Sequence, residues 1–222
     1  MSDVMVDLET LGTRPGSIIV SIGAVAFDRA KDPLDWPEFY SVISIASSRK
    51  FGLTSDELTY EWWSRQSLEA RRVLDEAEGS SAPALPDVLK NFGKFLMQQG
   101  DIRACRLWGN GSDFDNVLLV SAFQAAMLGK PPWNYYNHRC YRTLKNLFPQ
   151  YALSEDARNA VQVEQHSGVH HNALDDARFQ ALSAVRILQK IDDMIDDSTW
   201  LRRETAANNL PSSLTQTDQE NF

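Results

Sequence analysis

Cysteine is scarce in this chain, with only Cys105 and Cys140 among 222 residues. That excludes a disulfide framework and fits a reduced, cytosolic protein. Histidine is almost as sparse, at four residues, and two cysteines with scattered histidines lack the ligand spacing of a structural zinc site. No apolar stretch approaches the roughly 20 residues that a membrane span requires. The N-terminus runs straight into a strand-like segment, with neither the basic nor the apolar part of a secretory leader. The expectation is a soluble, cytoplasmic protein with no membrane partner. Also missing are a Walker A loop, a Rossmann fingerprint and the Gly-x-Ser-x-Gly elbow of a serine hydrolase.

Positive charge is in short supply as well. Lys and Arg number 22 against 30 Asp and Glu, for a net charge of −8. Nucleic-acid affinity usually comes from Lys and Arg, so this balance argues against tight, non-specific duplex binding. A carboxylate metal site changes the arithmetic. Two divalent cations held by four acids would bring the charge from −8 to −4, and the ions themselves attract phosphate. An enzyme that grips a strand end through metals therefore stays open.

What is present is an ordinary globular balance, 43% hydrophobic and 23% charged. A domain of this size buries roughly 70–75% of the surface its unfolded chain exposes and needs no staple. Residues 3–8 and 17–27 read as apolar strands, with Gly23 marking a bend or bulge in the second. Phe39–Ile45 reads as a third strand, completing a three-stranded meander. After Lys50 helical patterns dominate, over Thr54–Gln66, Ser67–Glu78 and Leu85–Gln99. A strand is expected at 102–108, then helices at Asp113–Leu128 and Tyr141–Phe148. Pro149–Val169 is polar and weakly periodic, a candidate mobile loop. The last strong helical pattern runs from about Ala173 to Met194, and the tail beyond Trp200 turns polar. Strands first and helices later imply an α/β fold, a mixed sheet with helices on both faces. The domain is expected over residues 1–192, with a polar tail over 193–222.

Three acidic clusters carry the candidate chemistry. In Asp7-Leu8-Glu9, strand alternation points both carboxylates to one face, where they repel each other and invite a hard cation. Trp108-Gly-Asn-Gly-Ser-Asp-Phe-Asp115 is a strand end, a glycine turn and a helix start. Capping by Ser112 or Asp113 would explain one acid there, but Asp115 lies beyond the natural cap. In His170-His171-Asn172-Ala-Leu-Asp175-Asp176, Asn172 is a good N-cap and Asp175 falls at the capping-box position. That leaves Asp176 for another role, with His171 on loop backbone just ahead. Two ions about 3.5–4 Å apart can stabilise both the attacking and the leaving oxygen of an in-line displacement at phosphorus. Four carboxylates suit two such ions, and a histidine with an ordinary pKa of about 6.5 can take the proton of the attacking water.

Asp7-x-Glu9, Phe114-Asp115 and His171-x-Ala173-x-x-Asp176, in this order and spacing, resemble the DEDDh exonucleases of the proofreading-subunit and RNase T-like superfamily. The resemblance covers roughly residues 1–192. Thr59-Tyr-Glu-Trp-Trp63, Gln66-Ser-x-Glu-Ala70 and Trp108-Gly-Asn-Gly-x-x-Phe-Asp-Asn116 resemble a narrower group: phage exonuclease A, exonuclease VIII-like phage proteins and a bacterial exoribonuclease branch. The resemblance implies a ribonuclease H-like fold, two Mg²⁺ or Mn²⁺ ions, attack from the 3′ end and nucleoside monophosphate products. The implied partner is a single-stranded 3′ end, DNA first and RNA second; a homodimer is allowed, and a phage-encoded protein would act in the host cytoplasm. The same likeness suggests that Thr10 and Leu11 hold the terminal nucleotide. Asn110 and Phe114 are expected to line the pocket. Trp62 and Trp63, adjacent on one helix, cannot face the same way, so one is expected in the core and the other stacked on a base. Arg139, Arg142 and Lys145 form a small basic cluster that reads more readily as a solvated helix face than as a phosphate contact. A reading from another class is a silent adaptor that binds nucleic acid or a polymerase, but such a module has no need for clustered carboxylates.

Overall fold

The computed structural model describes residues 2–154 and 172–196. Its centre is a five-stranded sheet built from β1 (Asp3–Thr10), β2 (Ile19–Phe27), β3 (Glu38–Val42), β4 (Arg106–Gly109) and β5 (His138–Cys140). The strand order is β3-β2-β1-β4-β5. The first three strands pair antiparallel, as a meander, and β4 and β5 add in parallel on the other side of β1. The sheet is therefore mixed, and β1 lies at its middle.

Around it, among the described residues, run α1 (Ile45–Lys50), α2 (Glu57–Ser64), α3 (Leu68–Glu78), α4 (Leu85–Gln98), α5 (Asp115–Ala125), α6 (Tyr141–Leu147) and α7 (Ala173–Asp196). Polar caps set several starts: Ser44, Asp56 and Ser67 accept from the amides of Ser47, Thr59 and Ala70 respectively. The compact unit that carries the site is Met1–Ile187; of the second, Leu188–Phe222, only the end of α7 is described.

Strand alternation divides β1 cleanly. Val4, Val6 and Leu8 enter the main core with residues of α3, α4 and α5, such as Val73, Leu89, Phe92 and Leu119. The opposite face carries Asp3, Met5, Asp7 and Glu9. Here α7 covers the sheet with a run of small buried residues, Ala173, Ala177, Ala181 and Ala184. Gly23, which pairs with Asp7 across β1 and β2, makes this approach feasible. A Cβ on Gly23 would stand 2.2 Å from the carbonyl carbon of Ala173 and from the amide nitrogen of Leu174. The glycine thus marks a close crossing and not the expected bend; the irregularity in register lies between Glu9 and Thr10 instead.

Two short elements fall outside the sequence expectation, α1 and β5, and the expected 102–108 strand is a 3-10 turn at Ile102–Ala104 followed by β4. Of the expected loop Pro149–Val169, residues 155–169 lie outside the described residues, as does the tail beyond 196.

Candidate active site

Three chain segments deliver the acids. β1 brings Asp7 and Glu9, two residues apart on the face opposite the main core. The N-terminus of α7, seated on Gly23, brings Asp176. Carboxylate oxygens of Asp7, Glu9 and Asp176 lie within 4.8 Å of one another, close enough to share a cation. β4 and its glycine turn bring Asp115 to the first position of α5. Asp115 is buried, and Gly109 makes room for it: a Cβ there would stand 2.9 Å from Asp115 Oδ2 and 2.6 Å from Asn116 Oδ1. Asn116 anchors the turn from below, its Nδ2 donating to the Leu107 carbonyl at 3.0 Å.

The electrostatics are those of a crowded acid cluster. Burial, then the charge of Asp7, then that of Asp115 push the Glu9 carboxyl well above its ordinary value. Burial and Asp7 likewise push Asp115 well up, although its own amide, the Asn110 amide and the Arg142 guanidinium pull the other way. Such a cluster is costly while only carboxylates face each other. Hard oxygen donors at this spacing are what Mg²⁺ or Mn²⁺ requires, so Asp7, Glu9 and Asp176 fit a divalent metal centre; Asp115 stands outside that group of three, near enough for its charge to act on Glu9.

The neighbouring acids have other partners. Asp3, on the same face of β1, pairs with Arg106 and accepts from Trp108 Nε1 at 2.7 Å. Asp175 pairs with Arg178 at 3.1 Å, and Arg178 also pairs with Glu38. Asn172 caps α7 as expected, accepting from the amides of Leu174 and Asp175 at 3.0 and 3.2 Å. The start of α5 differs from expectation: Phe114 occupies the cap position, and neither Ser112 nor Asp113 caps it. The general-base candidate His171, and His170 beside it, lie outside the described residues.

A cleft of about 720 Å³ opens beside Glu9, large enough for a small ligand. Its walls include Glu9, Thr10, Trp62, Trp63 and Phe114, and also Arg14, Asp56 and Thr59. The two tryptophans divide as expected. Trp63 is 1% exposed and donates its Nε1 to the Thr10 carbonyl at 2.9 Å, whereas Trp62 is 40% exposed on the rim. Leu11 is not on this wall. Its side chain is fully buried in the main core, while its backbone ties the turn to Ile18 and Asp56. Asn110 is absent from the cleft lining too, and sits where its amide faces Asp115.

The sequence reading missed Gln180, whose Nε2 donates to Asp7 Oδ1 at 2.8 Å and fixes that carboxylate. The signal was available: Gln180 lies four residues after Asp176, hence on the same face of α7. It also missed Arg14, because a residue in a Gly-Pro turn shows no periodicity.

Comparison with known proteins places this fold. A curated relative is the exodeoxyribonuclease of Enterobacteria phage T4, 27% identical over 128 residues. The match covers 54% of this chain and 55% of that protein, so the chain spans about half the length of this relative. Among solved structures, the nuclease domain of 3′hExo, a DEDDh family member bound to rAMP, superposes with a TM-score of 0.51 at 18% identity, covering 85% of this chain and 92% of that one. Cell-death related nuclease 4 gives 0.52 at 15%, covering 87% and 64%. At such identities the likeness speaks for the fold, a ribonuclease H-like α/β domain. A family model described as the 3′-5′ exoribonuclease Rv2179c-like domain matches residues 2–188, nearly the whole described part, and the chain belongs to that family.

Proposed function

We propose that this protein is a metal-dependent 3′-5′ exonuclease that shortens single-stranded nucleic acid to nucleoside monophosphates. The observation that carries the proposal is the convergence of Asp7, Glu9 and Asp176, with Asp115 close enough to act on Glu9, beside an open cleft that Glu9 lines. Two divalent cations held by these four acids would supply charge stabilisation to the attacking and leaving oxygens. Gln180 orients Asp7, and the glycine turn at 109–111 sets Asp115. The cleft takes the terminal nucleotide, its base against Trp62 and Phe114 and its sugar near Thr10. We assign the general base to His171, which precedes the cap of α7 and takes the proton of the attacking water. Cys105 and Cys140 form no disulfide with each other, and no helix among the described residues is long and apolar enough to cross a membrane.

The substrate sugar has support on both sides. The expected preference for DNA is favoured by the T4 relative, an exodeoxyribonuclease. RNA is favoured by the exoribonuclease family, whose match spans more of the chain. Matched 5′-labelled DNA and RNA oligonucleotides, digested with Mg²⁺ and read as ladders, test the proposal. Progressive shortening of either one from the 3′ end is the expected result, and the faster ladder identifies the sugar. Internal cuts in both, or no cleavage of either, would overturn it.

A further inference from the structure

The acids of this chain are unevenly distributed. From Asn116 to Ser154 there is no Asp or Glu, while Lys130, Arg139, Arg142 and Lys145 give the segment a charge of +4. At the chain's average density a stretch of that length would hold about five acids. With the whole at −8, the remainder carries −12. A cationic segment in so acidic a protein concentrates its attraction for phosphate in one region.

The fold places part of this segment beside the acid cluster. β5 is the edge strand next to β4, whose end leads to Asp115. From β5 the chain enters α6, where Arg142 donates to the Asn110 carbonyl and its charge is felt at Asp115. Lys145 follows one turn later on the same helix face, its ammonium 5.9 Å from the Tyr141 ring centre. Immediately before β5, Tyr135 and Tyr136 are 79% and 65% exposed, their rings edge to face at 5.6 Å. Arg139 is tied to this turn, donating to the carbonyls of Tyr136 and His138. Two large exposed aromatics followed by three cations, with no acid in the segment, are the elements of a single-strand binding track.

We propose that Tyr135, Tyr136, Arg139, Arg142 and Lys145 form the surface that holds the nucleotides upstream of the scissile bond. The surface engages the strand backbone through the cations and its bases through the tyrosines. Its partner is a single-stranded nucleic acid longer than a dinucleotide. The inference rests on the exonuclease reading but is tested apart from it.

The experiment uses the full chain in EDTA, where hydrolysis is suppressed. A fluorescent oligothymidylate about 15 nucleotides long, within the range of single-strand binding sites, is titrated by anisotropy at several salt concentrations. Each phosphate contact contributes about 0.7 to the slope of log affinity against log salt. The pair Arg139→Gln, Lys145→Gln should flatten that slope by about 1.4. The pair Tyr135→Ala, Tyr136→Ala should weaken binding about thirtyfold or more while leaving the slope in place. Arg139→Lys, which keeps the charge and loses the Nη1 bonds to the two carbonyls, should retain the slope and so separates charge from folding. Mn²⁺-dependent cleavage of a dinucleotide, which has no phosphate beyond the scissile one, should stay within twofold of the parent in both pairs. Unchanged affinity and slope in both pairs, with melting temperatures retained, would overturn the surface; so would equal losses on dinucleotide and oligonucleotide. A parent that cleaves no dinucleotide would count against the active-site reading, and the anisotropy result would still decide for or against the surface.

Discussion

Gly23→Ala should inactivate the protein although Gly23 contributes no functional group. The added methyl would stand 2.2 Å from backbone atoms of Ala173 and Leu174, where ordinary contact begins near 3.4 Å. These are backbone atoms of a helix start and cannot swing aside like the end of a long side chain. The N-terminus of α7 must therefore retreat by more than 1 Å, and Asp176 goes with it, away from Asp7 and Glu9. Overpacking of this kind costs about 1–3 kcal/mol of stability. A misplacement of about 1 Å in a catalytic constellation can cost about 10²-fold in rate. The assay is kcat on a short oligonucleotide at saturating Mn²⁺, with melting temperature measured in parallel. Gly93→Ala is the control. It lies within α4, where an added Cβ would meet only Pro132 Cγ, at an ordinary 3.7 Å. That change should add up to about 1 kcal/mol of stability without touching activity. A Gly23→Ala protein that cleaves within twofold of the parent would refute the argument that this crossing sets the site.

Other perturbations separate neighbours. Asp176→Ala should lose nearly all turnover, while Asp175→Ala, which breaks the pair with Arg178, should cost about 1 kcal/mol and retain activity; kcat and thermal melts read both. His171→Ala should lower kcat about 10²–10⁴-fold with metal binding intact, and His170→Ala should stay within a few-fold, as single-turnover cleavage across pH 6–9 would report. Stability should depend on pH in the direction set by Glu9 and Asp115. Both are raised above their ordinary values of 4.5 and 3.8, so the folded protein binds protons more tightly than the unfolded chain. Their contribution is complete below those ordinary values and is lost as pH rises through the raised ones. Melting temperature in EDTA should therefore fall as pH climbs from that range, and Mg²⁺ should remove most of the fall by favouring the ionised acids; parallel curves with and without metal would contradict this.

The parts of the fold that local pattern controls were legible in the sequence. Alternation put Asp7 and Glu9 opposite Leu8, and the meander and the long helix at Ala173 followed from apolar periodicity. The capping logic at Asn172 separated Asp175 from Asp176, but Asp175 is occupied differently than expected: its amide donates to the Asn172 side chain, and its carboxylate pairs with Arg178 in place of a capping-box bond. What could not be read depended on distant segments. Gly23 looked like a local bend because its reason, the backbone of Ala173, lies 150 residues away. β5 is three residues long and α1 six, too short for either period to show. Leu11 follows the acid pair in sequence, yet the register irregularity between Glu9 and Thr10 breaks the alternation, and its side chain lies in the core. At α5 the expected capping side chains, Ser112 and Asp113, give way to a tight turn in which the amides of Phe114 and Asp115 both bond to the Gly111 carbonyl.

The central claim is that four converging carboxylates hold the divalent cations that make this fold a nuclease. Its most direct test is single-turnover cleavage of a 5′-labelled single strand by protein stripped with EDTA, as Mn²⁺ is titrated back. The account predicts no cleavage without the cation, a rate that climbs to a plateau with it, and no recovery at any Mn²⁺ concentration for Asp7→Asn. Cleavage that persists in EDTA, or an Asp7→Asn titration that overlays the parent's, would contradict it.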